Sequence, residues 1–94
     1  MNKPNKSIDK IKFLNFLKTK NLKLTKQRLQ ILDLFIKEKD HLIVDDFFIK
    51  IKKSDRTLSI STVRRTLNLL VECGVAKRIK LDNGTYVFEV NNVN

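Results

Sequence analysis

Apolar residues fall in four blocks with helical spacing, followed by a fifth block in which they alternate. The first block predicts a helix over roughly residues 7–20, with Ser7 as its N-cap. Ile8, Ile11, Phe13, Leu14, Phe16 and Leu17 cover more than one narrow stripe, so two packed sides are expected. Residues 21–24 read as a loop. Thr25 then caps a second helix over roughly 26–38. Leu29, Leu32 and Ile36 line one of its sides and Ile31, Leu34 and Phe35 another, which places it centrally. In the third helix, roughly 44–53, Val44, Phe47, Phe48 and Ile51 follow the i, i+3, i+4, i+7 rule. Asp45 and Asp46 in its first turn, with Lys50, Lys52 and Lys53 in its last, suit the helix dipole. After a polar connection over 54–58, Ser59 caps a fourth helix, roughly 60–73. Its buried stripe is expected at Ile60, Val63, Leu67, Leu70 and Val71, and Gly74 supplies the left-handed stop.

Beyond Gly74 the period becomes two. Lys77, Ile79 and Leu81 lie on one face of a strand, with Ala76, Arg78 and Lys80 on the other. Asp82-Asn83-Gly84 predicts a hairpin with a two-residue type I′ turn at Asn83-Gly84, returning over 85–90. That turn pairs Leu81 with Tyr86, Ile79 with Phe88 and Arg78 with Glu89. The fold class is mainly α with a C-terminal β-hairpin: a winged helix-turn-helix whose fourth helix lies across a major groove while the hairpin reaches the flanking backbone. The whole chain, 1–94, reads as one domain without internal repeat or linker, and residues 1–6 and 91–94 are expected to be loose.

Composition narrows the function. The chain has 94 residues, with 20 Lys+Arg against 10 Asp+Glu, for a net charge of +10. Residues 1–28 carry nine basic residues and one acid, 29–55 are nearly neutral, and 56–94 carry six basic residues and three acids. The basic ends suggest one electropositive face, for which a polyphosphate is the common partner, although solvation alone also accounts for surface lysines. A lone Cys73 and a lone His41 allow neither an internal disulfide nor a zinc knuckle. No segment has the length of a membrane span or the apolar core of a signal peptide. With no paired carboxylates in a cleft, no phosphate loop and no metal set, an enzyme is not expected, nor is a small-molecule substrate.

The outward side of the fourth helix holds Ser61, Thr62, Arg65 and Asn68, with Arg64 at the edge of the buried stripe. Two adjacent arginines in its first turns can place one guanidinium on a guanine edge and the other on phosphate. Ser61 and Thr62 sit where free backbone N–H groups also favour phosphate. Lys77, Arg78 and Lys80 decorate the wing, where they also protect an exposed edge. Lys20, Lys23, Lys26 and Arg28 cluster around the start of the second helix and suit non-specific backbone contact. For Arg28 a salt bridge with Asp45 or Asp46 is an equal alternative.

A resemblance adds to this. Leu24-Thr25-Lys26-Gln27-Arg28 followed by Ile31-Leu32, His41 before the third helix, the run over 59–70, Gly74, and Tyr86-Val87-Phe88-Glu89 together resemble the DNA-binding domain of the ferric uptake regulator (Fur) family. The resemblance covers roughly residues 10–90, and the stretch 62–70 with its spacing to Gly74 is its specific part. It implies a bacterial metal- or peroxide-responsive regulator, usually a repressor, that acts in the cytoplasm on the nucleoid and binds AT-rich palindromic operators as a homodimer. It also implies a Tyr-Arg pair on the recognition helix and a basic residue before helix two that reaches the minor groove. Arg65 matches the family Arg; Arg64 stands where the family usually has Tyr, replacing a thymine-methyl contact by a cationic donor. His41 and Glu89 match two ligands of the family's hinge-region metal site, which in a full-length protein holds a divalent Fe, Zn or Mn. Family members continue into a dimerisation domain carrying the remaining ligands, and the chain stops where that segment would begin. Hence no cofactor is expected here, and any homodimer should be weak.

The resulting expectation is a sequence-selective module for double-stranded DNA. A protein-interaction winged helix, including a one-domain competitor of a full-length regulator, is the alternative. An RNA reader would offer exposed aromatics for stacking, and the aromatic residues here occupy patterned apolar positions.

Overall fold

The computed structural model describes residues 6–38 and 40–91; of the loose ends expected over 1–6 and 91–94, residues 1–5 and 92–94 lie outside them, and Lys6 is helical. Four helices, α1 (Lys6–Thr19), α2 (Lys26–Phe35), α3 (Val44–Lys52) and α4 (Ile60–Glu72), precede an antiparallel hairpin of β1 (Ala76–Lys80) and β2 (Tyr86–Val90). This is the expected winged helix-turn-helix.

Local chemistry explains most boundaries. Thr25 is extended and its hydroxyl accepts the Arg28 N–H at 3.1 Å; Ser59 likewise accepts the Thr62 N–H at 3.2 Å. Each satisfies a donor that the first helical turn leaves unpaired. Two helices end in the same way. Gly74 (φ +89) follows α4 with Val75 N–H donating to Leu70 O, and Asn21 (φ +56) follows α1 with Leu22 N–H donating to Leu17 O. Both are left-handed terminators that close the last carbonyls. The helix already includes Lys6, one residue ahead of the expected cap position at Ser7, whose side chain lies outside those described. The second helix stops at Phe35, three residues early, in a turn in which Glu38 N–H donates to Phe35 O.

The core lies between the helices. α4 packs against α2, α3 and β1. Phe13 and Leu17 of α1, Ile31, Leu32 and Phe35 of α2, Phe47 and Ile51 of α3, and Val63, Leu67 and Leu70 of α4 are buried. Phe35 and Phe47 meet edge to face at 6.5 Å, which fixes α2 against α3. The inner side of α4 differs from the expected stripe: Thr66 and Leu69 are buried with Val63, Leu67 and Leu70, whereas Ile60 and Val71 are only half-buried. Thr66 is satisfied there by donating to Thr62 O at 2.8 Å. α1 has one packed side rather than two: Ile8 and Ile11 are 57% exposed.

The wing departs from the expected register by one residue. Lys80 faces Tyr86, Ile79 faces Val87, Arg78 faces Phe88 and Lys77 faces Glu89. The turn has three loop residues instead of two. Leu81 N–H donates to Thr85 O, Gly84 N–H donates to Leu81 O, and Gly84 takes φ +87 while Asn83 stays at negative φ. A type I turn ending in a left-handed glycine replaces the type I′ turn. Thr85 N–H donates to Asn83 Oδ1, so the asparagine side chain supports the loop instead of forming its corner. Leu42 adds a one-residue bridge to Phe88, with reciprocal backbone bonds of 2.7 and 2.9 Å. Asn91, expected loose, is bonded to Val75 O and Gly74 O.

Candidate nucleic-acid interface

The approach to α4 is a polar turn tied from two sides. Asp55 Oδ1 accepts both the amide and the hydroxyl of Thr57, which holds its carboxyl below the usual carboxylate range; neighbouring Lys26 adds to the effect. Gln27 Nε2 donates to Thr57 Oγ1 at 3.3 Å. The starts of α2 and α4 are thereby brought to the same end of the molecule, so the N-terminal dipoles of both helices add to the basic side chains there. Leu58, 2% exposed, anchors the turn from below.

On α4 itself, Ser61, Arg64, Arg65 and Asn68 are exposed, as expected of an outward face. Thr62 is half-buried; its N–H is taken by Ser59, and its hydroxyl shares a 3.0 Å hydrogen bond with Ser59 Oγ. It therefore brings no free backbone donor to a ligand, contrary to expectation. Arg64 pairs with Asp45 Oδ1 at 3.5 Å, with both side chains more than half exposed. Asn68 Oδ1 accepts from Arg78 Nη1 at 3.2 Å, which joins α4 to the wing.

The partners of Arg78 and the exposure of Tyr86 are what sequence reasoning missed. The register slip moves Glu89 from Arg78 to Lys77, whose Nζ lies 3.2 Å from Glu89 Oε1. Arg78 instead stacks 5.0 Å from the centroid of Tyr86, and Lys80 lies 5.8 Å from the same ring. Tyr86 is 45% exposed, not a core residue. Arg64 and Asn68 of α4, Arg78, Thr85, Tyr86 and Phe88 of the wing, and Ile43, Val44 and Asp45 at the start of α3 line an open cavity of about 290 Å³. The missed signal was the length of the hairpin loop, which decides which side chains share a face.

The basic residues near α2 separate into three situations. Lys23 and Lys26 are exposed. Arg28 donates to Lys23 O at 2.7 Å and fastens the loop before its own helix, while Asp45 goes to Arg64; the Arg28 salt bridge with Asp45 or Asp46 is not formed. Lys20 sits by the other end of α4, 4.0 Å from Glu72 and over the Phe16 ring, so it does not join the cluster at the start of α2.

The bridge between Leu42 and Phe88 sets His41 opposite Glu89 across the backbone. The two matched ligands are thus neighbours, but Glu89 is engaged by Lys77. Among the described residues no group of three or more His, Cys, Asp or Glu could hold a metal ion. Two donors fall short of the usual set, so these residues do not fit a metal by themselves. Burial pushes the Cys73 thiol up, and its Sγ donates to Leu70 O, so it stays protonated near neutrality. No helix among the described residues is long and apolar enough to cross a membrane.

Comparison with known proteins agrees with this geometry. The ferric uptake regulator family model matches residues 19–94. The ferric uptake regulation protein of Campylobacter upsaliensis is 34% identical over 83 residues, covering 86% of this chain and 53% of its own. That of Bordetella parapertussis is 36% identical over 76 residues, covering 80% and 55%. The chain therefore spans about half the length of the curated relatives it matches. The Helicobacter pylori ferric uptake regulator superposes over all of this chain and 63% of its own with a TM-score of 0.87 at 20% identity, a likeness of fold. The Francisella tularensis regulator, solved with iron, is 40% identical at a TM-score of 0.70, covering 78% of this chain and 56% of its own. Sequence and fold agree across the helices and the wing, and the chain belongs to the ferric uptake regulator family.

Proposed function

We propose that this chain is the double-stranded-DNA-binding module of a metal- or peroxide-responsive transcriptional regulator, acting in the bacterial cytoplasm as a repressor. The observation that carries this is the exposed Arg64–Arg65 pair in the N-terminal half of α4, beside a basic wing and next to the start of α2. In this reading α4 enters the major groove with Arg65 on base edges, while Ser61, Lys23, Lys26, Lys77 and Lys80 meet phosphates. Phosphate contacts supply most of the affinity, and about six of them give a log–log salt slope of roughly −5. Two-fold pairing of modules on a palindromic site raises the affinity of each half-site. His41 and Glu89 contribute to a divalent-metal site only with ligands from outside the described residues.

The test compares a duplex recovered by the protein from a random-sequence pool with its scrambled counterpart. Arg65→Ala is expected to lose about 10-fold or more on the recovered duplex and much less on the scrambled one, in line with about 1–3 kcal/mol for a bidentate base contact. Lys77→Ala is expected to weaken both alike. Equal losses on both duplexes for Arg65→Ala would remove α4 from the role of reader.

A further inference from the structure

We propose that the cavity between α4 and the wing seats one phosphate of the DNA backbone, held between the guanidinium groups of Arg64 and Arg78. This rests on the DNA-binding reading above and assigns the tandem arginines different tasks.

A helix with its side chains is about as wide as the major groove, roughly 10–12 Å against roughly 12 Å. When α4 fills the groove, the space between it and the flanking wing is left to the sugar–phosphate rail. In this molecule that space is lined by a cation on each wall: Arg64 from the helix and Arg78 from the wing. Asn68, one turn beyond Arg64 on the same face, accepts from Arg78 Nη1 at 3.2 Å, and Tyr86 lies under the guanidinium at 5.0 Å. These two contacts fix the direction of Arg78 but use only one of the five N–H donors a guanidinium carries. Arg78 is thus pre-oriented, which lowers the entropy lost on gripping an anion. Arg64 is held by Asp45 at 3.5 Å, in a pair more than half exposed on both sides. Such pairs are weak in water, so an incoming phosphate displaces the carboxylate with little loss. Arg64 is then a backbone contact and Arg65 the base reader. Asn68, which the sequence placed on the DNA-binding side of the helix, is a positioning residue for Arg78.

The experiment measures affinity and salt slope on the recovered and scrambled duplexes for Arg64→Gln and Arg78→Gln. These variants remove charge at exposed positions and leave the core untouched. Each is expected to weaken both duplexes by the same factor, and the Arg64→Gln/Arg78→Gln double variant, which leaves that one phosphate without a cation, to take about 0.9 off the magnitude of the slope. A scan of single methylphosphonate replacements along the recovered duplex then locates the seat. At one position the neutral linkage should weaken wild type but not the Arg64→Gln/Arg78→Gln double variant. Asn68→Ala and Tyr86→Ala should each give part of the Arg78→Gln loss, and Tyr86→Phe, which keeps the ring, should restore wild-type binding. A larger loss for Arg64→Gln on the recovered duplex than on the scrambled one, or an unchanged slope in the double variant, overturns the seat. If wild type binds neither duplex, the DNA reading itself fails. If wild type binds and the arginine variants bind equally well, only the seat fails.

Discussion

On α4, Val63, Thr66, Leu67 and Leu70 are at most 1% exposed, whereas along β1 only Ala76 is buried and the next four residues face water. The two elements that frame the candidate interface are therefore positioned by different physics. α4 is wedged between α2, α3 and β1, and its direction cannot change without opening apolar surface. The wing is anchored at its base by buried Ala76, Val87 and Phe88, and its outer end is held by its own ladder and by polar contacts such as Arg78 with Asn68. A helix fixed by the core can present Arg65 with a reproducible geometry, as base reading demands. A ribbon whose outer end is fixed only by hydrogen bonds and stacking can adjust there to the backbone, where the target is the same at every step.

The largest expected effect tests the first half of that contrast. Leu67→Ala should lower unfolding stability by about 2–5 kcal/mol in a urea titration, the usual result of deleting a fully buried leucine from a packed core. Ile79→Ala on the wing, where the side chain is 38% exposed, should cost under about 1 kcal/mol. Similar losses at the two positions would mean that the wing is as tightly built as the helix.

An intermediate effect compares the two left-handed glycines. An added Cβ at Gly74 meets only Lys12 Nζ at 3.8 Å, and at Gly84 it meets nothing within 4 Å, so neither alanine variant creates a clash with a neighbour. The backbone penalty, about 1–2 kcal/mol at φ near +90, is shared by both. Gly74→Ala should pass it in full to the global unfolding midpoint, since Gly74 closes α4. Gly84→Ala should move the midpoint less, because the hairpin tip can open locally, and hydrogen exchange at the amides of Gly84 and Leu81 should accelerate instead. A full-sized midpoint shift for Gly84→Ala would show that the wing opens only with the rest of the molecule.

The same contrast explains what could be read from the sequence. The four helices follow from apolar spacing, and the bounds of α2 and α4 from Thr25, Ser59 and Gly74, because burial on one side and capping act within a few residues. The exposed Arg64–Arg65 pair follows as the complement of the buried stripe. The wing register was misread because Asn83-Gly84 suits two loops of different length. The sequence contains no buried alternation on β1 strong enough to choose between them. One residue of slip moved Glu89 from Arg78 to Lys77 and freed Arg78 for Tyr86 and Asn68. Arg64 with Asp45 and Lys20 with Glu72 are pairs between distant elements, beyond what local spacing can indicate.

The smallest expected effect concerns the turn that leads into α4. Two hydrogen bonds from Thr57 hold the Asp55 carboxyl below its ordinary range. A carboxylate depressed on folding adds stability that is fully present above its unfolded pKa and is lost as pH falls through the folded value. Asp9 on α1 is the opposite case: partial burial raises it, so its ionised form opposes folding near neutrality and the opposition fades as pH falls. Thermal melts of Asp55→Asn and Asp9→Asn across the acid range separate the two. Asp55→Asn should melt slightly below wild type at neutral pH, with the gap closing as pH falls through the ordinary carboxylate range to the lowered folded value of the wild-type carboxyl. Asp9→Asn should melt at or above wild type at neutral pH, with the difference shrinking on acidification. The Asp55 bond also fixes the backbone that delivers Ser59 to its cap, so Asp55→Asn should loosen the Thr62 amide in hydrogen exchange before it changes the melt. If the exchange at Thr62 stays as slow as in wild type, α4 is held by its buried side alone and the turn contributes nothing to aiming it.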